Sequence, residues 1–249
     1  MSHTTASPLR RVGIATGLSL LGILFGILLS IPAILVQMNV LTQFVAAFVL
    51  SELGFVAAAL VFLRLTDREF EYLNVRMPTL RAVGFVVGGT VALFVFRLVA
   101  ILAAQALGLP LAGNSVTQLA EEGLLETLLV LVPLSILVVG PAEEILFRGV
   151  IQRYLGETFS EVTAILVASV LFALVHFPTM YIATPDLFAV GVTMVILFGL
   201  SILLGYLYVW TENLVVPILV HGLYDALLFA LAYIALSQGL VESMAVAGF

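Results

Sequence analysis

The chain has 249 residues, 63% hydrophobic and only 10% charged, with a mean hydropathy of +1.25 and a net charge of -6. A soluble domain carries roughly a quarter charged residues, so a soluble fold is excluded, and long unbroken apolar runs exclude the short alternating strands of a β-barrel. There is no lysine and no basic face for nucleic acid; without cysteine there is no disulfide, thiol nucleophile or thiolate metal site.

Taken in chain order, a short polar start with Arg10 and Arg11 precedes an apolar run from Val12. That run is too long for a signal-peptide core, so a retained first membrane helix is expected over 12–36. Further apolar segments of spanning length follow at 41–63, 82–108, 123–152, 161–177, 187–209 and 213–236. The expected fold is all-α: a polytopic bundle of about seven membrane helices (six to eight), forming a single membrane domain over 1–249 around an intramembrane polar cavity. The loop 64–81 has mixed charge and an apolar face, and is expected to hold a short solvated or interfacial helix. No internal repeat is visible.

Arginine position orients the bundle. Arg10 and Arg11, then Arg64, Arg68, Arg76 and Arg81, then Arg148 and Arg153 fall on one side in a seven-helix topology. The opposite loops, near 37–40, 109–122 and 178–186, hold no Lys or Arg. The expectation is an integral protein of the cell membrane with a cytoplasmic N-terminus.

Ionisable residues within a bilayer are expensive and generally functional. The fourth segment carries Gly140-Pro141-Ala142-Glu143-Glu144-Ile145-Leu146-Phe147-Arg148-Gly149. Glu144 and Arg148, four residues apart, share a helix face and suit an ion pair, while Glu143 points about 100° away and is left for chemistry. Pro141 should disturb the helix just before the glutamates. His176 lies about 18 residues past the turn near Thr158, and Glu143 about 15 before it; at about 1.5 Å per residue both lie ~25 Å from that turn. His221 lies ~12 Å into its own helix from the same side. Asp225 shares a face with His221 and either orients the imidazole or joins it as a second donor to an oxyanion. A glutamate and a histidine that hold and deprotonate water, with further donors for a tetrahedral oxyanion, describe amide hydrolysis. Ser169, two turns from His176 in a small-residue run, reads as structural. Glu52, Arg97 and Glu126 are further charges in apolar segments; the expectation is pairing of Arg97 with Glu52 or Glu126 as structural glue, the alternative being a lining of the access path.

The ordered set Glu143-Glu144-x-x-x-Arg148, Phe172-x-x-x-His176 and His221-x-x-x-Asp225 resembles the three motifs of the CAAX prenyl protease and bacteriocin-processing membrane endopeptidases (the CPBP or ABI family), over a core of about 140–230. The resemblance implies an intramembrane hydrolase acting on a membrane-tethered protein or prenylated peptide in the bilayer, in CAAX-box protein processing. By that resemblance Glu143 is the water-activating base assisted by His176, His221 and Asp225 stabilise the oxyanion, and Glu144 and Arg148 support the site. Many members carry Asn where this chain has Asp225. The family is often described as metalloendopeptidase. No obligatory cofactor is expected here; the alternative is a zinc ion on Glu143, His176 and His221. Two competing functions are a non-catalytic scaffold or immunity factor of the same fold, and a proton-coupled transporter.

Overall fold

The structure is a computed structural model that describes residues 7–113 and 125–239. Among the described residues, seven helices are long and apolar enough to cross a membrane: α1 (Pro8–Leu35), α2 (Val40–Leu65), α3 (Leu80–Ala106), α4 (Leu125–Gly156), α5 (Glu161–Ala183), α6 (Leu187–Thr211) and α7 (Val215–Ser237). The all-α polytopic architecture is as expected, with boundaries a few residues from those read in the sequence. The loop near 109–122 falls largely outside the described residues.

The helix starts follow from local chemistry. The first N–H groups of a helix lack intrahelical acceptors, and a short polar side chain supplies one. Asn39 Oδ1 accepts from the Thr42 N–H at 2.8 Å. Thr79 Oγ1 accepts from Ala82 at 3.2 Å, and Asp186 Oδ1 from Phe188 at 2.8 Å. Pro8 stands at the first turn of α1, where its missing N–H costs nothing.

Two elements depart from the expected pattern. The loop after α2 forms only a single 3₁₀ turn, Phe70–Leu73, rather than a helix of any length. It ends on Asn74 in the left-handed conformation, with φ 58°, a geometry asparagine tolerates. Leu73 is buried, and the residues after it meet the start of α7: the Leu214 N–H bonds Asn74 O at 3.1 Å, and Asn213 Oδ1 accepts from both Arg76 N (3.0 Å) and Val215 N (3.1 Å). The second departure is α4. It is α-helical over Leu125–Leu134, π-helical over Ser135–Val139, α-helical over Gly140–Glu144, and π-helical again over Ile145–Gln152. Pro141 has no N–H to give, and the first wide turn ends just before it.

One end of the bundle gathers the arginines. Glu157, just past α4, receives Arg11 at 2.7 Å and Tyr72 OH at 3.0 Å, and also binds Arg68 through both guanidinium nitrogens. Burial alone would push the Glu157 carboxyl up; hydrogen bonds from Arg68, Arg11 and Tyr72 outweigh it and hold it at about 2. The N-terminal part of α1, the 66–79 loop and the end of α4 therefore share one face. Arg148 does not belong to that face. Counted among the loop charges in the sequence, it is 1% exposed and lies in the core.

Candidate active site

The site is built where α4 and α7 touch backbone to backbone. A Cβ on Gly140 would lie 2.7 Å from Ile218 O, and one on Gly222 2.8 Å from Ser135 O. Only glycines allow this approach, as at other close membrane-helix crossings. Glu143 and Glu144 follow Gly140 within a turn, and His221 precedes Gly222, so the crossing sets carboxylates against an imidazole.

Glu144 and Arg148 form the expected i,i+4 ion pair at 2.8 Å, with side chains 0% and 1% exposed. The pair has further partners. Arg148 donates through Nη2 to Ser201 Oγ at 2.8 Å and to Ser201 O at 3.1 Å, and its guanidinium lies 4.7 Å over the Phe172 ring. Glu144 Oε1 also takes His221 Nδ1 at 2.7 Å. The residue that holds His221 from behind is thus Glu144, not Asp225, which meets the other nitrogen, with Nε2 to Oδ2 at 3.2 Å.

Glu143 stands among Nε2 atoms. Its Oε1 is 3.6 Å from His176 Nε2, and its Oε2 is 3.6 Å from His221 Nε2. Both histidines are held from behind: His176 Nδ1 donates to the Phe172 carbonyl at 2.8 Å, and His221 Nδ1 to Glu144. For a neutral His176 this leaves a lone pair on Nε2 beside the Glu143 carboxylate. Carboxylate oxygens face both nitrogens of His221, an arrangement that two ring hydrogens satisfy.

Depth along the helices explains how these residues meet. Glu143 lies about 20 Å from the end of α4 at Gly156, whereas His221 lies only about 9 Å past the start of α7 at Val215. For near-parallel axes, α7 begins well below the tip of α4. Its first N–H groups are met by protein: Leu214 by Asn74 O, and Val215 and Val216 by Asn213.

Glu143, His176, His221 and Asp225 open onto a cavity of about 520 Å³. Glu52 of α2 and Arg97 of α3 line the same space. Glu126 is exposed at the start of α4 rather than turned inward, and Ser169 is buried away from the cavity lining. Glu143, His176 and His221 are the donors a zinc ion would need. Among the described residues, however, no group of three or more His, Cys, Asp or Glu side chains has a geometry that could hold a metal.

Ser201 and Asn213 are the supporting residues that sequence reasoning missed. The signal available was slight: each is a small polar residue in or next to an apolar span.

Residues 125–227 match the family described as Type II CAAX prenyl endopeptidase Rce1-like. The matched stretch runs from the start of α4 into α7 and contains Glu143, Glu144, Arg148, His176, His221 and Asp225. This is the family the three motifs resemble. An uncharacterized protein of Bacillus subtilis (strain 168), YpbD, is 38% identical over 90 residues, 36% of this chain and 39% of that protein. The match thus spans about two fifths of that relative's length. No solved structure matches the chain. The α1–α3 helices lie outside the family match, so the part of the cavity lined by Glu52 and Arg97 is described by this structure alone.

Proposed function

We propose that the protein is an intramembrane endopeptidase that hydrolyses a peptide bond in a membrane-tethered substrate, a prenylated CAAX-type peptide being the first to test. The single observation that supports it most is the Glu143 carboxylate between two imidazoles at the cavity wall, Oε1 3.6 Å from His176 Nε2 and Oε2 3.6 Å from His221 Nε2. A water seated there can donate one hydrogen to Glu143 and one to His176 Nε2, which aims its oxygen at a carbonyl carbon in the cavity. As the C–O bond forms, Glu143 takes the proton. The carbonyl π electrons move onto oxygen, and the oxyanion is met by His221 Nε2–H. Collapse breaks the C–N bond, and the proton on Glu143 passes to the leaving amine. Glu144 and Arg148 hold His221 in the required orientation without touching the substrate. Asp225 completes the oxyanion side, as a donor when protonated and otherwise as a partner that orients Nε2–H.

The N-terminus and the arginine-rich face are assigned to the cytoplasm of the cell membrane, and the cavity to opening toward that half of the bilayer. No obligatory metal is required by this scheme.

The test is full-length protein in lipid nanodiscs with a farnesylated CaaX peptide. Wild type should cleave it, and Glu143→Gln should reduce the rate by about 10²–10⁴, the range expected for loss of a general base. Cleavage should survive a chelator. Undiminished cleavage by Glu143→Gln would overturn the assignment of the base. Loss with chelator and recovery with zinc would overturn the metal-free scheme. Peptide binding without cleavage by wild type would favour the non-catalytic scaffold instead.

A further inference from the structure

The cavity holds one carboxylate that the mechanism does not use. Glu52 lies on α2, which is outside the family match. Its Oε2 is buried and has no hydrogen-bond partner. A buried acceptor left unsatisfied costs about 1–3 kcal/mol, and more when charged, so its retention calls for a partner that arrives. Its position is built in. Helices α1 and α2 cross where a Cβ on Gly54 would lie 2.2 Å from Gly26 N, and one on Gly26 2.7 Å from Ser51 O. That crossing pins the turn carrying Ser51 and Glu52. Phe48 and Phe55, four residues before and three after Glu52, line the cavity on the same face. A carboxylate flanked by two rings offers one acceptor between two apolar surfaces, which suits an extended main chain whose side chains lie on the rings and whose N–H points at the carboxylate. Arg97 of α3 lines the same cavity.

We propose that Glu52 is a substrate-binding residue, whose Oε2 accepts a hydrogen bond from a main-chain N–H of the peptide in the cavity. The inference deepens the endopeptidase reading and rests on it for the identity of the ligand. It differs from structural glue in one respect: the bond is made to an amide of the substrate, so removing that amide hydrogen must have the same effect as removing Glu52.

The experiment uses full-length protein in nanodiscs and a set of farnesylated CaaX peptides, each N-methylated at a different amide. Binding is read as fluorescence anisotropy on the Glu143→Gln variant, and cleavage on wild type. One N-methyl position should weaken binding by about 5- to 10-fold, the upper part of the range for a hydrogen bond between uncharged groups. On Glu52→Leu in the same background that position should cost less than about threefold, while the other positions keep their effects. Glu52→Gln, which retains an acceptor oxygen, should recover most of the affinity. If every N-methyl peptide loses the same factor on the Glu52→Leu protein as on its parent, Glu52 makes no bond to the substrate and serves a water or the fold; the proposal then fails while cleavage stands. Binding with the predicted N-methyl pattern but no wild-type cleavage would uphold Glu52 and overturn the endopeptidase. Neither binding nor cleavage would overturn both. Should Glu52→Leu fail to fold, the same comparison on Glu52→Gln and wild type decides: no single sensitive N-methyl position in either protein sinks the proposal.

Discussion

Arg148→Met is the sharpest test of how the site is held. The guanidinium is the charged partner of a Glu144 side chain that is wholly buried; it bonds Oε1, and Oε2 is buried with no hydrogen bond. Without Arg148, Glu144 keeps only His221 Nδ1 at 2.7 Å. Breaking a buried ion pair by removing one partner costs about 3–5 kcal/mol, because the remaining charge is uncompensated. Replacing both partners with apolar side chains removes that charge. The double variant Arg148→Met with Glu144→Leu should therefore regain most of the loss. Recovery stops short of wild type, since His221 Nδ1–H then lacks an acceptor, at a cost of about 1–3 kcal/mol. Unfolding free energies in mixed micelles with rising sodium dodecyl sulfate, followed by fluorescence of the single tryptophan, Trp210, give both values. Cleavage should fall by roughly 10²–10³ in each variant, because neither holds the oxyanion donor in place. Stability and activity thus separate: the double variant is the more stable of the two and equally inactive. A double variant no more stable than Arg148→Met would show that the buried charge of Glu144 is not what the guanidinium offsets.

Gly222→Ala places a Cβ 2.8 Å from Ser135 O, and should destabilise the protein by about 1–3 kcal/mol and depress cleavage by forcing α7 off α4. Gly88→Ala, where a Cβ meets nothing within 4 Å, should leave both unchanged; equal effects in the two variants would refute the close-crossing account. Asp225→Asn keeps a side-chain donor and should retain cleavage within about tenfold, whereas Asp225→Leu should lose about 10²–10³; similar losses in both would remove the donor role. Because its folded pKa is depressed to about 2 from 4.5, Glu157 contributes stability that is fully present above pH 4.5 and is lost as pH falls through about 2. With 31% of its side chain in solvent, that contribution is about 1–2 kcal/mol after screening. Unfolding measured across pH 2–5 should show an acid-side slope that Glu157→Gln abolishes, and an unchanged slope in that variant would assign the loss to another carboxylate.

How much of this was legible in the sequence follows from what is local. A run of about 20 apolar residues announces a spanning helix by its length alone, so the seven spans and the all-α class were readable. So was the Glu144–Arg148 pair, which needs only four residues of helix. What was not readable depends on contacts between distant segments. Ser201 is 53 residues from Arg148, and no spacing rule links them. The sharing of Glu144 by His221 likewise spans 77 residues, which is why Asp225, four residues away on the same helix, looked like the natural partner. Arg148 was misjudged as loop charge because hydropathy averages over the window and cannot tell a snorkelling arginine from one bonded on three sides. The π-helical turns of α4 left no periodic trace either, although Pro141 marked the spot.

The same long-range contacts bear on the choice between hydrolase and transporter. Alternating access requires that the groups around a midplane site have two arrangements, reached by moving one set of helices against another. Here α4 and α7 are in backbone contact at Gly140 and Gly222, and α4 is tied to α6 through Arg148 and Ser201 and through Gln152 Nε2 to Gly205 O at 3.0 Å. Sliding α6 or α7 past α4 would break the Arg148–Ser201 or the His221–Glu144 hydrogen bond and leave buried polar groups unpaired, at about 1–3 kcal/mol for each. A site that works by holding a carboxylate and two imidazoles at fixed separations gains from this rigidity, whereas one that must rock loses by it. The geometry therefore favours chemistry at a stationary centre, with the substrate as the part that moves.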